Sequence, residues 1–245
     1  MELNISLSPE ILFNLGPIPV TNSLFWSLII SVFLMLFFYR AGRNLKTRPS
    51  KFQNLIELLI EESYKFTGLI TNNPQRTKKI FPLVLTMFIF ILACNLFTFM
   101  PGQSAVSIQT EQGLVPVFRA VMADYSMVFV LTAITVILVQ IITILTNGPF
   151  NYLKKFINLG GPLKFFLGVM ELIGELAKII SLSFRLFGNI FAGEVLGLVI
   201  LSLIPFFVPL PFLFLSLLTS VIQAFVFSVL TLVFANMASQ IPENE

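Results

Sequence analysis

A stretch of about forty residues, 163–204, holds no proline and no turn dipeptide, and is apolar for most of its length. It nevertheless carries Glu171, Glu175, Lys178, Arg185 and Glu194. As one helix it would measure about 60 Å at 1.5 Å per residue. The hydrocarbon core of a bilayer is about 30 Å thick, and a modest tilt does not absorb a twofold excess. The stretch therefore either breaks without a sequence signal or crosses a membrane steeply inclined. A soluble setting is excluded by composition. The chain is 56% hydrophobic and 11% charged, against about 25% charged for soluble domains, so too little charge remains to cover a solvated surface.

Four further apolar stretches accompany it, at 23–40, 80–100, 125–146 and 212–241. Their boundaries are turn signals such as Pro101-Gly102, Asn147-Gly148-Pro149 and Gly160-Gly161-Pro162, or clusters of charge. Basic residues orient them. The segment before the first stretch has no Lys or Arg, whereas the segment from Arg40 to Lys79 holds nine of the fifteen. The loop after the second stretch has only Arg119, the loop after the third has Lys154, Lys155 and Lys164, and the last connection has none. The alternation predicts an outer N-terminal segment, 1–22, and a cytoplasmic C-terminus. At 51–72, Phe52, Leu55, Ile56, Leu59 and Phe66 recur at helical spacing opposite Gln53, Asn54, Glu57, Glu61, Glu62 and Lys65. This amphipathic helix lies along the interface or packs on a partner. The expected fold class is all-α integral membrane, a single membrane domain of about five membrane-embedded helices plus one interfacial amphipathic helix. The last two helices, separated by Pro205, Pro209 and Pro211, are long and strongly tilted as a hairpin.

An arginine does not escape its charge by deprotonation, and its placement in a bilayer makes function the default hypothesis. On the long stretch Glu171, Glu175, Lys178, Ser181 or Leu182, Arg185 and Asn189 follow steps of three and four, forming one stripe. Glu194 lies nine positions beyond Arg185, half a turn away on the opposite side. Glu175 and Lys178 are spaced to pair, which reads either as a neutralised cluster or as the lining of a watery path. Arg185 has no carboxylate three or four residues away, so its counter-charge comes from elsewhere in the chain or from another subunit. On the last stretch Ser216, Ser220 and Gln223 share a face, and Gln223 is placed to reach across towards Arg185. Gln140 reads as interhelical glue. Asp124 reads either as an N-cap for Tyr125-Ser126-Met127 or as the outer mouth of an ion path.

Covalent chemistry finds no support. The chain has no histidine and one cysteine, Cys94, inside an apolar run, where it reads as a small core residue. A Gly-rich phosphate loop, an activated nucleophile and a metal-ligand cluster are all missing from the sequence, so no cofactor or metal is expected. A net charge of +3 gives no reason to expect nucleic acid. Met1-Glu2-Leu3-Asn4 lacks a basic signal region, so the first apolar helix is expected to stay in the mature protein.

The run Ser183-Phe184-Arg185-Leu186-Phe187-Gly188-Asn189-Ile190-Phe191-Ala192-Gly193-Glu194 resembles the signature of subunit a of the rotary F-type ATP synthase. Gln223-Ala224-Phe225-Val226-Phe227 resembles the glutamine stretch on that family's last helix, and Asp124 and Met237-Ala238 fall on further matches. The resemblance implies a non-catalytic stator subunit with two aqueous half-channels beside a ring of c subunits, each with a buried carboxylate. It also implies contact with b-type peripheral-stalk subunits. The lack of a transit-peptide pattern fits a bacterial plasma membrane first and an organelle-encoded subunit second. The family's arginine falls on Arg185, where it would separate the half-channels and favour the ionised ring carboxylate. The family's glutamine and asparagine fall on Gln223 and Asn189, and channel positions on Glu194 and Glu171. A position often ionisable in that family is Ser216 here, which leaves outer-side transfer to Glu194, Asp124, hydroxyls and water. A secondary transporter would need pseudo-symmetric halves with broken helices, which the sequence does not display. A purely structural subunit would tolerate loss of Arg185.

Overall fold

The structure, a computed structural model, describes residues 10–15, 18–43, 45–99, 107–110, 113–149, 152, 162–204 and 207–239. The Pro101-Gly102 turn, Lys154, Lys155, Gly160-Gly161, Pro205 and half of the outer N-terminal segment lie outside them. Six long helices are described: α1 (Asn22–Arg43), α2 (Lys51–Thr71), α3 (Pro74–Thr98), α4 (Tyr125–Asn147), α5 (Pro162–Leu203) and α6 (Pro209–Ser239). All but α2 are long and apolar enough to cross a membrane. The expected all-α membrane class is what the chain adopts, and α5 is one unbroken helix of 42 residues. Two short antiparallel hairpins were not anticipated, β1 (Ile11–Leu15) with β2 (Ile18–Thr21) and β3 (Ser107–Thr110) with β4 (Gly113–Pro116). Runs of four or five residues give too few alternations to stand out beside stretches of twenty or more.

The chain divides into two compact units. The first comprises Met1–Asn44, Phe88–Val130 and Ser183–Phe225. Here α1 is inverted relative to a soluble helix. It buries Asn22, Ser23, Ser27 and Ile30 and exposes Leu28, Val32, Met35 and Leu36, as expected where the surroundings are lipid rather than water. Its first turn is capped twice: Thr21 Oγ1 accepts from the Leu24 N–H at 3.3 Å and Asn22 Oδ1 from the Ser23 N–H at 2.9 Å. Trp26 packs edge-on against Phe118 and Phe97, at 4.5 and 6.0 Å between ring centroids. Cys94 is buried in this unit.

The second unit comprises Leu45–Met87, Leu131–Leu182 and Val226–Glu245. Ile80, Val139, Leu232, Ala235 and Ala238 form its apolar cluster, with Ile70, Leu83, Val84 and Ile142 packed against it. Side chains satisfy the carbonyls that helix ends leave open. Asn236 Nδ2 donates to the Ile70 carbonyl at the end of α2 (2.9 Å), and Asn147 Nδ2 to the Ser239 carbonyl at the end of α6 (3.2 Å). Lys79 Nζ donates to the Leu145 carbonyl near the end of α4 (3.2 Å). α2 stops at Asn72, which takes a left-handed conformation (φ 49°) and bonds its N–H to the Gly68 carbonyl. Asn73 then caps α3, its Oδ1 accepting from the Gln75 and Arg76 N–H groups, ahead of Pro74 in a first-turn position that needs no donor. α3 thus begins at Pro74 rather than at 80. Its first turns carry Arg76, Lys78 and Lys79, which hydropathy assigns to a loop.

Asn236→Leu removes the donor from the Ile70 carbonyl and should cost about 1–2 kcal/mol. The check is denaturant unfolding in detergent, with hydrogen exchange expected to speed up first at the last turn of α2.

Candidate functional site

In the first unit the later half of α5 meets the earlier half of α6 in antiparallel order. Asn189 Nδ2 donates to Gln223 Oε1 at 2.7 Å. One turn along, a Cβ placed on Gly193 would lie 3.0 Å from Ser216 Oγ, and another on Gly197 would lie 4.0 Å from Leu213. The two glycines therefore set the closeness of approach, with Gly193 the tighter of the two. Gln223 is only 3% exposed, and its Nε2 is buried without a hydrogen-bond partner. The carboxamide expected to reach towards Arg185 is instead anchored through its oxygen to Asn189. Four residues before Asn189, Arg185 is exposed and makes no ion pair among the described residues. An exposed guanidinium on an apolar helix of this length presents a permanent positive charge to whatever packs there.

Aromatic rings hold the Arg185 turn in place. Tyr125 lies against Phe184 at 5.2 Å and Phe187 at 5.6 Å, and Phe187 stacks on Phe191 at 5.1 Å. Tyr125 is the first residue of α4, and buried Asp124 starts that helix by accepting from the Ser126 N–H at 2.9 Å. Asp124 is therefore built in as a cap, connected to the Arg185 turn through the ring next to it in sequence.

On the other side of α5 lies a cavity of about 210 Å³, roomy enough for several water molecules. Its polar lining is Thr98, Asn189, Glu194, Ser216 and Ser220, set among apolar side chains from α5 and α6. Glu194 Oε2 is buried with no hydrogen-bond partner, and the charge of Arg119 acts on this carboxylate. Asn95, only 1% exposed, donates from Nδ2 to the Ser220 carbonyl at 3.0 Å and leaves its Oδ1 unpartnered. A carboxylate, two serine hydroxyls, a threonine and the Asn189 amide in one largely apolar pocket form a polar strip along which water could be held and an ion passed.

The remaining candidates lie in the second unit. Glu175 accepts from Lys178 Nζ at 2.8 Å, and the same ammonium sits 5.1 Å from the Phe234 ring. Glu171 is half-buried one turn earlier on α5. Gln140 Oε1 accepts from the Tyr152 hydroxyl at 3.1 Å, so its observed partner is a residue of the following connection rather than another span. Burial and the field of Glu175 push the Tyr152 phenol above its ordinary pKa.

The structure thus brings Asn189, Glu194, Ser216 and Gln223 together, places Arg185 on the exposed side of the same helix, and puts Glu171 in the other unit. Sequence reasoning missed Asn95 and Thr98. Their signal was present: a lone amide and a hydroxyl near the end of an otherwise apolar run. It also treated Arg119 only as a count in a loop.

Comparison with known proteins gives a consistent result. Residues 24–236 match the family described as ATP synthase A chain. A relative named ATP synthase subunit a from Moorella thermoacetica is 35% identical over 226 residues, covering 92% of this chain and 94% of the relative. One of the same name from Legionella pneumophila (strain Corby) is 32% identical, covering 91% and 88%. A third, from Buchnera aphidicola, is 32% identical, covering 89% and 82%.

Gly193→Ala should cost about 1–3 kcal/mol through overpacking against Ser216. Combining it with Ser216→Ala should recover at least half of that loss in a double-mutant cycle read by thermal unfolding. Strictly additive costs would mean that the two helices do not press on each other there.

Proposed function

The chain belongs to the ATP synthase A chain family, whose members are the non-catalytic, ion-translocating membrane subunits called subunit a, and on that premise we propose how this one works. It is a multi-pass membrane protein that acts as a stator beside a ring of c subunits, each offering a buried carboxylate. The observation that carries this reading is Arg185, an exposed guanidinium on an apolar helix with no ion-pair partner among the described residues. Its counter-charge is the passing ring carboxylate.

The guanidinium lowers the carboxylate pKa by about 1–3 units as the two approach, so the ion is released on one side of Arg185 and cannot be carried past it. The fixed charge also blocks a direct ion leak between the two half-channels. The outer half-channel runs through the α5–α6 cavity, with Glu194 as the group that takes up and passes on the ion. Ser216, Ser220, Thr98 and water fill the gap left by the missing second ionisable side chain. Asn189 and Gln223 brace the hairpin behind Arg185, Asp124 seats the ring of Tyr125 beside it, and Glu171 belongs to the inner path. The ion is the proton. A b-type peripheral stalk holds the subunit still. The basic loops face the cytoplasm of a bacterial plasma membrane, leaving the N-terminus outside.

Arg185→Ala should abolish ion-driven ATP synthesis in reconstituted vesicles while the complex remains assembled on native gels. Retained synthesis would overturn the mechanism. Glu194→Gln should slow proton-driven synthesis by about a hundredfold, without lowering ATP hydrolysis by the detached catalytic sector. Driving the wild type with a sodium gradient alone should give no synthesis.

A further inference from the structure

The short segment that joins α1 to α2 is folded back on itself. Gln53 Nε2 donates to the Lys46 carbonyl at 3.0 Å, and the Lys46 N–H donates to Gln53 Oε1 at 3.1 Å. Ser50 caps the same helix start, its Oγ accepting from the Gln53 N–H at 3.3 Å. Lys46, Arg48 and Lys51 all lie on this clasped stretch, and none of the three makes an ion pair among the described residues. The carboxylates farther along α2 are engaged elsewhere: Glu61 and Glu62 pair with Lys65 at 2.9 and 3.1 Å, and Glu57 accepts from Gln53 at 2.8 Å.

The cations do not stabilise the helix. Positive charge at a helix N-terminus opposes the macrodipole, so the arrangement is explained by something outside the chain. The neighbouring surface is apolar. Lys51, Leu55, Leu58 and Leu69 follow steps of four, three and eleven and share one flank of α2. Leu45, Leu55 and Leu69 are 64%, 62% and 74% exposed. The face turned to the rest of the second unit is instead Ile56, Leu59, Ser63, Thr67 and Ile70.

Chain length fixes where this surface lies. α1 is a membrane-crossing helix that ends at Arg43, only eight residues before α2 begins, a reach of at most about 29 Å. α2 is joined to the next crossing helix, α3, by Asn72 and Asn73 alone. Tethered at both ends, it stays at the membrane surface, where acyl chains and headgroups meet.

We propose that the clasped segment 45–51 and the exposed leucine flank of α2 bind anionic phospholipid. The three cations take the headgroup phosphate, and Leu45, Leu55 and Leu58 lie on the upper acyl carbons. Gln53 is the positioning residue, because it clasps the Lys46 backbone on the stretch that carries Arg48 and Lys51. A neutral partner helix would match the leucines and leave the cations unanswered; an anionic lipid matches both.

The test uses the assembled complex in nanodiscs of mixed phosphatidylglycerol and phosphatidylcholine. Phosphatidylglycerol should remain bound after detergent extraction and be counted by native mass spectrometry. Each cation removed in Lys46→Gln, Arg48→Gln and Lys51→Gln should weaken retention about fivefold. The charge-keeping set Lys46→Arg, Arg48→Lys and Lys51→Arg should preserve it, whereas Gln53→Leu should weaken it. Equal retention of phosphatidylglycerol by the neutralised variants, or equal retention of phosphatidylcholine by the wild type, would overturn the proposal. A photoreactive side chain at position 55 should crosslink to lipid, and a crosslink to another subunit would overturn it as well. Should the triple variant fail to assemble, the wild-type complex still decides, because high salt should strip the phosphatidylglycerol.

Discussion

The last carbonyls of a helix have no partner within it, and that constraint shapes how the helices of this chain end. Within the second unit, three helix C-termini are answered by donors from other segments: Asn236 to Ile70, Asn147 to Ser239 and Lys79 to Leu145. Each bond is modest on its own, but leaving the carbonyl bare would be expensive. In the first unit Asn95 donates to the Ser220 carbonyl in the interior of α6, tying α3 to α6 across 125 positions of sequence. Asparagine suits the task because its amide donates two hydrogens from a short, stiff stem.

The same physics separates two kinds of charge on α5. Glu175 and Lys178 neutralise each other within a turn, and Phe234 covers the ammonium. Such a pair asks nothing of any other subunit. Arg185 has no such neighbour and lies exposed. Glu194 is the intermediate case, a carboxylate with one buried unpartnered oxygen, at a cavity it shares with the Ser216 and Ser220 hydroxyls and within the field of Arg119. The chain thus keeps one charge balanced, one half-buried beside a cavity and one exposed.

What could be read from sequence follows from the range of the forces involved. The long apolar runs, the amphipathic α2 and the stripe through Arg185 are local patterns, and they foretold five candidate crossings and one unbroken α5. The Glu175–Lys178 pair was visible because three residues bring the two side chains together on any helix. Contacts between distant segments were not visible. The partner of Gln223 proved to be Asn189 rather than Arg185, a choice set by the close approach at Gly193 and Ser216. The two β-hairpins escaped because backbone pairing needs little from side chains over so few residues. The charged start of α3 escaped because hydropathy measures where a helix meets lipid, not where it begins.

The unbroken course of α5 has a mechanical meaning. A helix bends sharply at proline or where its hydrogen-bond ladder is interrupted, and over 42 residues α5 contains no proline after its first position. A helix with no proline break resists being pushed sideways better than a jointed one. In the mechanism proposed above, each ring carboxylate would tug on Arg185 as it passes and then let go. A jointed helix would yield to each tug, whereas an unbroken one would hold Arg185 in place against the load.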